Sequence, residues 1–133
     1  MEWLTFFVGE AHMALEARYV YQVIDDAQIT PVPLSSECCL GLIYYRGELF
    51  DVLHLAPLLQ QTENRAPETD RIILLKWSGR KLALVPDRMG ELLWLEEDCG
   101  EPIDSRTGPK IRLITPKKIW QRLLEQPHGF RKV

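Results

Sequence analysis

LGLIYYRGELFDVLHL, residues 40–55, is the stretch that decides the fold. Two runs rich in branched and aromatic residues, 40–45 and 49–55, flank Arg46-Gly47. Runs of this kind joined by a glycine-containing pair spell a β-hairpin. Downstream the arrangement recurs, with 71–77 and 81–85 flanking Ser78-Gly79-Arg80. Around these hairpins the apolar runs stay short, and glycine or proline punctuates them. Residues 3–8 read as a strand that Gly9-Glu10 turns, and 12–15 and 19–24 follow. Residues 29–33, Ile-Thr-Pro-Val-Pro, must be extended, because each proline biases its predecessor away from helix. Segments 92–95 and 111–114 are further strand candidates. The polar stretch 61–70, QTENRAPETD, lacks apolar anchors and reads as a linker or loop.

One helix is expected. Thr115 can cap it, Pro116 suits its first position, 117–126 propagates it, and Pro127 marks its stop. Ile119, Trp120, Leu123 and Leu124 supply its apolar face. A shorter helical turn is expected over 56–60. The chain also repeats itself loosely. At an offset of 69, Ala14-Leu15 falls on Ala83-Leu84, Val20 on Met89, and Val23-Ile24 on Leu92-Leu93. At an offset of 61, residues 47–53 fall on 108–114, and Leu58-Leu59 on Ile119-Trp120. The offset drops by eight between the two parts. The strand at 40–45 has no counterpart in 94–107, which contains EEDCGEPIDSRT. The expected architecture is therefore all-β, two small closed barrels side by side, the second abbreviated, with a C-terminal helix. Closed barrels hide strand edges and so keep short strands stable.

The chain of 133 residues is 46% apolar and 26% charged, the composition of one globular domain and not of a disordered one. No run of eighteen apolar residues is present, so no membrane insertion is expected. Residues 1–9 lack the basic start and cleavage site of a signal peptide. With three cysteines, Cys38 and Cys39 adjacent, reduced thiols and a cytoplasmic setting are expected. The net charge of −3 is unevenly spread. Residues 1–70 hold eleven acids and three bases, whereas 71–133 hold eight acids and thirteen bases.

Chemistry-bearing groups are sparse. His12, His54 and His128 share no metal-ligand spacing, and no cysteine pair has a zinc-knuckle gap. For His54 as a general base, Asp51 is the sequence-local carboxylate that could orient it. There is no phosphate loop and no nucleophile elbow. An enzyme would have to use Cys38, Cys39 or His54. A nucleic-acid-binding barrel would have to use Arg106, Lys110, Arg112, Lys117, Lys118 and Arg122. Arg46 stands apart from all of these. It is the one base between Arg18 and Arg65, at a turn where Asn, Asp or Gly suits the backbone better. A guanidinium on a rigid hairpin makes a partner anchor. The alternative is an internal pair with Glu48 or Asp51.

The order of segments carries a family resemblance over about 6–124. It opens with Phe7-Val8-Gly9-Glu10 and a small-apolar strand, followed by Tyr19-Val20-Tyr21-Gln22-Val23-Ile24 and by Ile29-Thr30-Pro31-Val32-Pro33. Gly41-Leu42-Ile43-Tyr44-Tyr45-Arg46-Gly47 is its most specific piece; 49–55 and 71–93, with Asp87-Arg88-Met89, complete it. This resembles the CheW family, receptor–kinase coupling proteins of bacterial chemotaxis. The resemblance implies two tandem SH3-like five-stranded barrels with a shared core, no catalytic activity and no cofactor. It implies two partners: the signalling tip of a helical chemoreceptor hairpin, bound between the barrels, and the regulatory domain of a histidine kinase, bound at barrel ends. By position, Val20 and Arg46 become receptor-contact candidates; Tyr44, Gly47 and Arg71 join them in the expected partner-binding set. The chain departs from the family pattern at Tyr44, Asp51, His54 and Arg71. The expected organisation is one domain over 1–133, with sub-barrels near 6–62 and 68–126 and a basic tail at 127–133.

Overall fold

The computed structural model describes residues 2–25, 28–31, 38–59, 71–94 and 111–125. Among them the order is β1 (Glu2–Val8), β2 (Ala11–Glu16), a 3-10 turn (Ala17–Tyr19), β3 (Val20–Ile24), β4 (Cys39–Tyr45), β5 (Glu48–His54) and α1 (Leu55–Leu58). It continues with β6 (Ile72–Trp77), β7 (Arg80–Val85), β8 (Arg88–Trp94), β9 (Ile111–Ile114) and α2 (Pro116–Leu124). The all-β architecture with a C-terminal helix is the one expected. The linker at 61–70, most of 94–107, Cys99, Arg106, Lys110, Pro127 and His128 lie outside the described residues.

The strands form two sheets, in the orders β8-β1-β2-β9 and β3-β6-β7-β5-β4. Each sheet therefore mixes strands from segments 6–62 and 68–126. Two pairings, β2 with β9 and β5 with β7, are parallel; the others are antiparallel. The register bears out both sequence offsets. Phe6 pairs with Met89 and Leu75 with Val20, each pair the image of the other at 69. Met13 pairs with Arg112 and Leu82 with Asp51, related by 69 on one strand and 61 on the other. Both the β1–β8 and β3–β6 ladders slip register at the same place in the repeat.

The core has two compartments. The larger lies between the sheets and under the helices: Leu4, Phe6 and Val8 of β1, Met13 and Leu15 of β2, Ile73, Leu75, Leu82 and Leu84 of the central hairpin, and Ile119 and Leu123 of α2. The smaller fills the five-stranded barrel, with Ile43, Phe50, Val52, Ile72, Leu74, Ala83 and Val85. β6 and β7 are thus buried on both faces, which explains runs such as Ile72 to Leu75 where a half-exposed strand would alternate. Each such side chain contributes about 1.5–3 kcal/mol by leaving water. Tyr21 of β3 closes the five-stranded barrel. Its ring stacks on Phe50 at 6.1 Å and meets Tyr45 of β4 edge-on at 6.3 Å.

α2 begins as the sequence dictates. Thr115 accepts a hydrogen bond from the Lys118 backbone N–H at 3.2 Å, and Pro116 occupies the first turn. It ends at Leu124, two residues before the expected limit. Leu124 is 60% exposed, so it leaves the buried face that Ile119 and Leu123 hold. Trp120 packs beside that face, under the Arg80 guanidinium at 3.9 Å.

Candidate functional site

The tip of the β4–β5 hairpin is built against local preference. Arg46 and Gly47 both have positive φ, 49° and 82°, matching a two-residue turn of the primed type. Such a turn follows the strand twist but puts its first residue in the left-handed region. That costs an L-residue with a side chain about 1–2 kcal/mol. Gly47 adopts the region freely; Arg46 does not. Its guanidinium is exposed and lies 5.2 Å from the Tyr45 ring centroid.

The sequence left Glu48 and Asp51 as internal partners for Arg46. The structure gives Glu48 to Lys76 at 2.7 Å and Lys81 at 3.4 Å. The hydrogen bond from Lys76 is the main reason that the Glu48 carboxyl sits below its usual range. Among the described residues, Arg46 has no carboxylate partner. Beside it, Tyr44 and Leu49 face each other across the ladder, 72% and 55% exposed. The hairpin thus presents a cation next to an uncovered aromatic–aliphatic pair, the composition of a partner anchor.

Barrel closure draws part of the expected set together. Tyr21 reaches Tyr45, beside Tyr44, Arg46 and Gly47 of the hairpin, whereas Val20, its neighbour on β3, packs half-buried against the shared core. Lys76 caps the junction, 4.0 Å over the Tyr21 ring. Arg71 is not part of this cluster. It sits at the far end of β3, where Ile24 pairs with Ile72, and its guanidinium is 3.2 Å from Asp25. The sequence reading missed Tyr21, Leu49 and Lys76. Leu49 carried a signal: with Phe50 inward, a period of two turns it outward.

The other candidates fall apart spatially. Asp51 and His54 are three apart on β5, hence on opposite faces. Asp87 is the acid whose charge reaches His54, and burial nevertheless pushes the imidazole below its ordinary value. Cys38 is buried in the shared core. No group of His, Cys, Asp and Glu among the described residues is arranged to hold a metal ion, and none of their helices is long and apolar enough to cross a membrane. Of the basic set, Arg112, Lys118 and Arg122 meet around a cavity of about 80 Å³. Trp120 is already stacked under Arg80 and packs against the shared core.

A family model of the CheW-like domain matches residues 2–118. The chain belongs to that family. This CheW-like domain is 36% identical over 58 residues to the chemotaxis protein CheW of Thermotoga maritima; the match spans 44% of this chain and 38% of that protein. The crystal structure of the scaffolding protein TtCheW from Thermoanaerobacter tengcongensis shares its fold. The TM-score is 0.71 at 22% identity, covering 84% of this chain and 86% of that one. The CheW-like domain therefore has the paired SH3-like barrels that its sequence led one to expect.

Proposed function

We propose that the chain is a non-catalytic adaptor that couples a chemoreceptor-type signalling tip to a CheA-like histidine kinase, in chemotaxis or pilus motility. The observation that carries this reading is the hairpin tip. Arg46 stands in an unfavoured backbone region, has no carboxylate partner among the described residues, and borders exposed Tyr44 and Leu49. Membership of the CheW-like family and likeness to the chemotaxis protein of Thermotoga maritima support the partner class. Gly47 belongs to the same docking surface; Val20, half-buried against the shared core, does not. Arg71, at the other end of β3, belongs to a separate contact. The adaptor transmits state by binding one partner conformation better than another, a coupling that is reciprocal.

The test is co-elution with a purified receptor signalling domain, with Arg46→Glu beside the unchanged protein. Capture should fall at least tenfold, and the melting temperature should stay within about 2 °C, because surface positions contribute within about 0.5 kcal/mol. An Arg46→Glu variant that melts much earlier makes the arginine structural. One that still co-elutes removes the hairpin tip from the receptor site.

A further inference from the structure

The basic side chains Arg112 of β9 and Lys118 and Arg122 of α2 border one small cavity of about 80 Å³. Met13, Leu59 and Ile114 give it an apolar floor. No acid among the described residues lines it; Glu125, a turn beyond Arg122, stands outside the lining. The cavity lies away from the hairpin tip, since Leu59 closes α1, which follows the opposite end of β5.

This arrangement runs against local electrostatics. Lys118 and Arg122 are four apart on one side of α2, a spacing at which like charges oppose the helix. The first turn of α2 holds Lys117 and Lys118 and no acid, although the positive end of the helix dipole favours acids there. Arg112 adds a further cation, because it pairs with Met13 of the cavity floor in the parallel β2–β9 ladder. The site rests on side chains, since Thr115 already takes the Lys118 backbone N–H. The internal repeat shows that the fold does not require these charges. At the offset of 61, Leu59 is the image of Trp120, Arg112 of Asp51, and Lys118 of Pro57. Where one half has an indole, an acid and a proline, the other has a leucine and two bases. A smaller side chain and added positive charge therefore come together at the cavity, and a pocket for an anion needs both.

Size and charge select the anion. A water molecule's share of liquid volume is about 30 Å³, so the cavity takes one compact group. Sites that enclose a whole small molecule are larger, about 300–1,000 Å³. A carboxylate brings a single charge and two oxygens. A terminal phosphate brings a charge of about −1.5 to −2 and three strongly accepting oxygens. Two guanidinium forks and an ammonium group match the phosphate.

We propose that this cavity binds a phosphate group, as the free ion or as the end of a phosphomonoester. Arg112, Lys118 and Arg122 hold its oxygens, and the apolar floor excludes water beneath it. The proposal does not depend on the adaptor reading.

Inorganic phosphate is the probe, titrated into the full chain at constant ionic strength while NMR follows the backbone amide and arginine Nε–H signals. Those of Arg112 and Lys118 should shift saturably, with a Kd below about 1 mM. Arg112→Gln and Lys118→Gln, both at exposed positions, should each weaken binding about tenfold or more, the worth of a hydrogen bond to a charged group. Lys117→Gln is the control: exposed on the same turn but outside the lining, it should leave the Kd within about twofold. Dimethyl phosphate, with the single charge of a nucleic-acid backbone unit, should bind about tenfold more weakly than phosphate. Glycerol 3-phosphate separates the two sources. Equal affinity assigns the site to the end of a larger ligand, and clearly weaker affinity assigns it to the free ion. A shift that is missing or does not saturate overturns the proposal. So does a loss in Lys117→Gln equal to that in Lys118→Gln, or dimethyl phosphate binding as tightly as phosphate, because either reduces the cluster to diffuse attraction for anions. Where the Arg112 or Lys118 variant fails to fold, phosphate against dimethyl phosphate on the unaltered protein decides.

Discussion

Arg46 occupies a backbone position that Asn would fill with less strain. A two-residue hairpin with both central φ values positive favours Asn-Gly over nearly any other pair. Arg46→Asn should therefore stabilise the fold by about 1 kcal/mol, since Asn tolerates the left-handed region that costs other residues about 1–2 kcal/mol. Thermal denaturation measures this, and the same variant should lose receptor capture. A lower melting temperature would mean that the contact between the guanidinium and the Tyr45 ring outweighs the backbone cost. At this scale the sequence was half legible. An arginine at a turn tip, alone among acids, already pointed to a partner. What could not be read was the diversion of Glu48, because Lys76 and Lys81 arrive from a hairpin 28 and 33 residues further along the chain. The His54–Asp51 pairing failed for the opposite reason: strand periodicity, legible beforehand, already placed the two on opposite faces.

At the scale of elements, α2 is the best case of local rules deciding structure. Cap, first-turn proline and apolar spacing agree, and the helix starts where they say. Thr115→Ala removes the cap and should cost about 1 kcal/mol. For a chain of this size that is a melting shift of roughly 3–5 °C. A shift under about one degree would mean that packing of Ile119 and Leu123 alone holds the end of the helix. The strands were legible because glycine turns delimit them, and Ser78-Gly79 repeats the positive φ values of Arg46-Gly47. The 3-10 turn at Ala17–Tyr19 was not legible, since no proline or glycine marks it. β8 starts at Arg88, earlier than its apolar run suggests, because pairing with Phe7 and Phe6 of β1 extends it through Met89 and Gly90.

At the scale of the whole molecule, the repeat and the exchange of strands are one fact seen twice. The offsets of 69 and 61 were readable in the sequence, and the ladder registers obey them. Hydrophobic pattern could not tell which half each strand joins, because both halves offer equivalent edges. The exchange has a consequence for folding. Divided within residues 63–67, the chain gives one fragment with β1 to β5 and another with β6 to β9 and α2. The first then lacks β8 and β9, which flank β1 and β2; the second lacks β3 and β5, which flank β6 and β7. Each keeps a central hairpin with one apolar face of the shared core uncovered, and isolated hairpins are marginal in water. Fragments 1–62 and 68–133 should therefore each give poorly dispersed amide spectra. Mixed in equal amounts they should recover the dispersed spectrum of the intact chain, because both parallel ladders and the shared core form only between them. A fragment that folds alone would mean that its hairpin finds enough partners within its own half, and that the exchanged ladders contribute little to stability.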